Sequence, residues 1–405
     1  MLFLAVYLRG STLSTLNSSL AARICFNYRA YSSKFSRASV YAAKKSVLPT
    51  KDISAQASAD VRRIPDDIKT VRNRLLCHYY PKILEGCNAR VSDITQYAFD
   101  SRGKMLRPLL VLLMAACANA HLYCRTLAER TREDEVHFFE RQLSTKVTCS
   151  QHAIAIISEM IHTASLIHDD LIDRADTRRG KLATYKKFGN KKAVLAGNTI
   201  LVKASELLAK LENAEVVSIL STVLDDLIRG EFMQLSSSLD ENQRFDLYLE
   251  KSYKKTASLM ANSCKAVTVL AGVDAHLVDA AFKFGRHLGM AFQLLDDMLD
   301  FIGQESKLGK PAGGSDLQLG LATGPVLFAA QEFPELEELL QKGVKSDKER
   351  LSACSFVHRS NAIGQTRILA EFHFQEAQRQ LGYFRRSEAR EYLLQVAGST
   401  LQRNF

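Results

Sequence analysis

The chain has 405 residues, 46% of them hydrophobic, which is enough for a substantial core and excludes a disordered protein. Its formal net charge of +10 is uneven. Residues 1–51 hold eight basic side chains and no Asp or Glu, leaving 46 basic against 44 acidic residues in the body, so no general electrostatic case for nucleic acid remains.

In chain order, the first element is a leader over residues 1–50. It is rich in Arg and in Ser (Ser18, Ser19, Ser32, Ser33) and free of acids, the composition of a mitochondrial transit peptide. A secretory signal competes, since residues 2–8 are apolar, but that run is short and no charge precedes it. No later stretch offers ~20 uninterrupted apolar residues, so no transmembrane helix is expected. The eight cysteines are scattered without a CxxC pair and read as reduced thiols.

Between Pro108 and Pro311 lie 202 residues without proline, with sparse glycine and no Asn-Gly or Asp-Gly hairpin signal. This predicts one large all-α domain over residues 66–405. The polar segment from Arg125 to Thr148 reads as a surface connection. A helix over 151–173 is apolar nearly all round through Ile154, Ile157, Ile161, Ala164 and Ile167, and 281–302 has the same character through Phe284, Leu288, Phe292 and Leu299. Helices of this kind lie in the middle of a protein.

Each of these helices ends in DDxxD: Asp169, Asp170 and Asp173 in the first, Asp296, Asp297 and Asp300 in the second. Spacing of i to i+4 puts the outer acids on one face, where they repel. The helix dipole disfavours anions at a C-terminal end, and desolvation on an apolar helix adds to the cost. One such run could be a solvated surface face; two on strongly apolar helices point to bound cations. Oxygen-only donors favour Mg²⁺, which shares its shell between a few carboxylates, water and substrate phosphates. The reaction that suits this is ionisation of a carbon–oxygen bond with the metals stabilising a departing diphosphate.

The segments Leu166–Asp173 with Asp176–Gly180, and Gly285–Phe301, resemble the two aspartate-rich motifs of the trans-polyprenyl diphosphate synthase family. Gly103–Pro108, Gly230–Gln234, Lys255-Thr256 and Gly309–Pro311 follow that family's other motifs in order. The likeness is nearest to the catalytic subunit of the mitochondrial synthases that make the ubiquinone side chain. It implies an isoprenoid synthase fold and repeated condensation of isopentenyl diphosphate onto an allylic primer, farnesyl or geranylgeranyl diphosphate, with several Mg²⁺ ions on the six aspartates. It further implies that Arg178, Lys255 and Lys310 contact the allylic diphosphate. Lys104, Arg107 and Arg179 would hold the metal-free isopentenyl diphosphate, with His162 as a further polar contact unless it is a satisfied core histidine. Thr256 and Gln293 would line the reaction centre. Ala164 and Ser165 are small where short-chain members carry aromatic residues, implying a long product. The partners implied are a second copy or a second prenyl-synthase-like subunit in the mitochondrial matrix, with a peripheral membrane contact left open for product release. A non-catalytic regulatory subunit would show eroded aspartates and a terpene cyclase a different second metal motif. Departures from the family pattern are Asn198, where an acid is usual, Arg102, and the added length at Gly313-Gly314.

Overall fold

The computed structural model describes residues 89–99, 105–128, 147–234, 241–302, 314–318, 321–344 and 346–401. The leader, the domain start near Asp66, most of the Arg125–Thr148 connection, Lys104 and Lys310 lie outside the described residues.

The described elements are α1 (Ala89–Phe99), α2 (Leu106–Ala128), α3 (Cys149–Ile172), β1 (Thr177–Arg178), β2 (Lys181–Leu182), α4 (Thr184–Phe188), α5 (Asn190–Ala209), α6 (Ala214–Gln234) and α7 (Glu241–Ser252). A π-helical turn (Tyr253–Ala257) leads into α8 (Ser258–Ala271). Then come α9 (Ala275–Ile302), α10 (Ser315–Gln318), α11 (Gly324–Glu332), α12 (Pro334–Lys342), α13 (Asp347–Arg359), α14 (Ala362–Leu381) and α15 (Glu388–Leu401). The architecture is the all-α bundle that the proline-free stretch predicts.

Helix α3 starts where Thr148 and Gln151 form a capping box. The Gln151 amide is wholly buried and also bonds Asn119 of α2 twice, at 3.0 Å each way, and donates to the Val267 carbonyl of α8 at 3.1 Å. One fully satisfied amide thus pins three helices at the end far from the acids, each bond contributing about 1 kcal/mol. Helix α3 packs on α2, α5 and α8, while α9 packs on α8 and α14.

Two apolar cores result. The larger joins α2, α3, α5, α6, α8, the first half of α9, and α15; the smaller joins the second half of α9 to α7, α11, α13 and α14. Phe284 and Phe301 of α9 are both fully buried, one in each core. Helix α9 is therefore shared by both cores, and its 28 residues span roughly 42 Å.

Two findings differ from the sequence expectation. A two-residue hairpin is present, pairing Thr177 with Leu182 and Arg178 with Lys181. Its corner, Arg179 (φ 51) and Gly180 (φ 77), has both residues in the left-handed region, as such turns require, but the Arg-Gly pair carries no Asn-Gly or Asp-Gly signature. Secondly, α2 over Leu106–Tyr123 is long and apolar enough to cross a membrane. Its Leu110, Val111, Met114, Ala115, Cys117 and Ala118 are buried in the larger core, which accounts for that composition. Among the described residues Cys117, Cys149, Cys264 and Cys354 are free, and burial pushes the Cys117 thiol up to about 12.

Candidate active site

The C-terminal ends of α3 and α9 carry the acids to one end of the bundle. Asp169 and Asp173 are half-buried at the end of α3, where Asp173 caps the helix by donating its N–H to the Asp169 carbonyl at 2.8 Å. Burial raises both carboxyls, Asp169 to about 7. Lys255 opposes that rise in each, and Glu231 adds to it. Asp170 points elsewhere. It is 2% exposed and accepts from Arg178 Nε at 2.7 Å, with a second, shorter contact from Nη2. The tight Arg179-Gly180 corner turns Arg178 back onto it.

The second cluster repeats this division. Asp296 is exposed and Asp300 half-buried, with the Gly314 N–H donating to Asp300 at 3.1 Å. Asp297 is 2% exposed and accepts from Tyr248 Oη at 2.6 Å and Gln293 Nε2 at 2.8 Å. Burial still lifts it to about 7, the two donors only moderating the rise. Asp316 joins this cluster; burial and its neighbour Asp300 raise it to about 6. In both motifs, then, the middle aspartate is buried against side-chain donors and the outer two are more exposed.

Between the clusters lies the π-helical turn. Its Lys255 pairs with Glu231 of α6 and is the main cation acting on Asp169 and Asp173. Its Thr256 donates to Gln293 Oε1 at 2.6 Å, which continues to Asp297. Lys251, one turn earlier, has its ammonium pushed down by burial against the opposing pull of Asp297. Asp316 feels both Asp300 and Asp173, so the two clusters share one electrostatic environment. Asp169, Asp173, Asp297 and Asp316 are all raised, chiefly by burial, with neighbouring carboxylates adding to the rise. This oxygen-only set of partly desolvated carboxylates fits Mg²⁺. Among the described residues no three acid, His or Cys side chains close on one point.

A cationic region adjoins it. Met105 (φ 51) turns the chain sharply into α2, placing Arg107 in its first turn. Arg107 Nη1 donates to His162 Nε2 at 2.9 Å, while its Nε is buried without a hydrogen-bond partner. Burial, reinforced by Arg107 and Arg179, keeps His162 neutral, as its acceptor role requires. Glu159, one turn below on α3, is 6% exposed and raised to about 7 by burial, with Arg107 and Arg179 opposing. Down the same helix, Ala164, Ile161 and Ile157 are buried in the larger core, and Ser165 returns its hydroxyl to the His162 carbonyl at 2.9 Å.

Sequence reasoning missed Glu231, Tyr248, Lys251, Glu159 and Asp316. Glu231 lay inside the Gly230–Gln234 element and was legible there. The others carry no spacing signal, because their partners are distant in sequence. Asn198 is exposed on α5, next to Gly197, whose backbone lies against the His168 ring that precedes Asp169.

The chain is similar to known proteins along most of its length. It matches the polyprenyl synthetase family over residues 88–357. It is 45% identical over 316 residues to a Homo sapiens all trans-polyprenyl-diphosphate synthase, covering 78% of this chain and 71% of that one. It is 40% identical over 350 residues to a probable hexaprenyl pyrophosphate synthase, mitochondrial, of Neurospora crassa, covering 80% of this chain and 78% of that one. The fold resembles the crystal structure of a Caulobacter crescentus polyprenyl synthase complexed with calcium and isoprenyl diphosphate, at TM-score 0.69 and 30% identity, covering 86% of this chain and 98% of that one. The acid-tipped helical bundle is thus an isoprenoid synthase fold, and the chain belongs to the polyprenyl synthetase family.

Proposed function

We propose that Asp169, Asp173, Asp296 and Asp300, backed by Asp170 and Asp297, hold Mg²⁺ around an allylic diphosphate to which the chain adds isopentenyl diphosphate units head to tail. The enzyme class follows from the family: the chain is a prenyltransferase, a polyprenyl diphosphate synthase. The observation that carries the site reading is that both acid clusters meet at one π-helical turn, whose Lys255 acts on Asp169 and Asp173 and whose Thr256 reaches Asp297 through Gln293.

Bound Mg²⁺ supplies Lewis acidity that stabilises the departing diphosphate. Lys255 and Arg178 stand beside the first cluster to receive that group, with Lys310 as a third cation. Thr256 and Gln293 direct their dipoles at the carbon left electron-poor when the carbon–oxygen bond breaks. Arg107, whose buried Nε is unpaired, binds isopentenyl diphosphate with Arg179 and Lys104, and neutral His162 orients it. The isopentenyl double bond then attacks, and a proton leaves to the released diphosphate.

The growing tail runs along α3 past Ala164 and Ser165, giving a product longer than C20 for the ubiquinone side chain. The acid-free leader and the mitochondrial description of the Neurospora relative support the mitochondrial matrix, with inner-membrane contact for product release. Leu195 and Val202 of α5 and Ile228 and Phe232 of α6 are large, apolar and exposed, which supports assembly with a second chain, identical or related. Labelled isopentenyl diphosphate, an allylic primer and Mg²⁺, with products sized by chromatography, test the reading. Long labelled products are expected; no incorporation at saturating Mg²⁺ refutes it.

A further inference from the structure

Lys255 and Thr256 sit in the one π-helical turn among the described residues, Tyr253–Ala257. Such turns are rare, and neighbouring structure must hold them open against reversion to the α-helix. Helix α6 supplies the hold. Asp226, 6% exposed, accepts from Lys254 Nζ at 2.9 Å through one oxygen and from Ser258 Oγ at 2.5 Å through the other. Lys254 is the second residue of the turn and Ser258 the first beyond it, so one carboxylate grips both ends of the segment containing Lys255 and Thr256. The adjacent Asp225 is 56% exposed and pairs with Arg229 along its own helix, so only Asp226 is committed inward.

The turn is also wedged between two close backbones. A Cβ on Gly230, one turn beyond Asp226, would lie 2.8 Å from Lys255 Cγ, and one on Gly289 of α9 would lie 2.5 Å from Ala257 Cα. Backbone excludes any side chain at Gly289, and one at Gly230 would push the Lys255 side chain aside.

We propose that Asp226 is a positioning residue for the reaction, locking the π-helical turn in the register that aims Lys255 at the first acid cluster and Thr256 at Gln293 of the second. If the turn relaxes to α-helical pairing, the side chains within it rotate by about 100° for the one-residue change of register, and both contacts are lost. This rests on the prenyltransferase reading above. An inactive wild-type enzyme defeats that reading, whereas an active wild type with the outcomes named last defeats only the role of Asp226.

The test uses the full chain. Asp226→Ala is expected to lower kcat and weaken the allylic diphosphate by about ten- to a hundredfold together, the effect of a lost charge-assisted contact. The KM for isopentenyl diphosphate should stay within about twofold, since Arg107 and Arg179 stand on other elements. Asp226→Glu, keeping the carboxylate, should restore part of the loss. On a Lys255→Ala background Asp226→Ala should cost clearly less than it does in the wild type, because one of the two side chains it positions is gone. If Asp226→Ala does not fold, Ser258→Ala replaces it in the same cycle. Full additivity in the cycle, an equal rise in both KM values, or wild-type kinetics overturns the proposal.

Discussion

Replacing Tyr248 by Phe removes a single oxygen from a side chain that is 3% exposed, so the ring keeps its place between α7 and α9. What is lost is the 2.6 Å bond to Asp297, one of two donors holding that buried carboxyl in its ionised form. A hydrogen bond to a charged acceptor contributes about 1.5–3 kcal/mol, and one pKa unit corresponds to about 1.4 kcal/mol, so the carboxyl should rise by about one to two units. It begins at about 7. At pH 7.5 the ionised fraction should then fall from about three-quarters to between about a quarter and a few per cent. With Mg²⁺ below saturation, kcat/KM should drop by about 3- to 25-fold at pH 7.5 and recover towards wild type near pH 9.5. The assay is the pH profile of kcat/KM for both enzymes, with circular dichroism confirming the fold. Acid limbs that superimpose would refute the idea that Asp297 must be ionised and that Tyr248 keeps it so.

Arg107→Ala should raise the KM for isopentenyl diphosphate by about ten- to a hundredfold while leaving that of the allylic primer near wild type; the reverse pattern in steady-state kinetics would exchange the two sites. Ala164→Phe should shorten the product sharply while the first condensations continue, read by chromatography of the chains; an unchanged distribution places the tail elsewhere. Asp169, raised from its ordinary 3.8 to about 7, is protonated in the folded state at pH values where the unfolded chain has released its proton, so it lowers stability as pH rises through that window. In chelator, Asp169→Asn should therefore raise the melting temperature at pH 8 and leave it unchanged near pH 4, and in saturating Mg²⁺ the same variant should have lost turnover; no gain at pH 8 refutes the burial argument. A reporter carrying residues 1–50 should enter mitochondria, and a cytosolic reporter would refute the leader.

The sequence alone determined the helical class, because proline is missing over 202 residues and two helices are apolar all round. It also showed that two acid triplets end those helices, a charge conflict that points to bound cations, since i to i+4 spacing and helix-end electrostatics are local properties. Only the tertiary structure decided how each triplet divides. Asp170 turns to Arg178 and Asp297 to Tyr248 and Gln293, and these choices depend on which neighbour reaches a buried carboxyl first. His162 was ambiguous in the sequence for the same reason: its bond to Arg107 spans 55 positions. The Arg179-Gly180 corner and the π-helical turn had no sequence signature at all. Both are conformations that cost energy by themselves, and packing against Asp170 in one case and Asp226 in the other holds them.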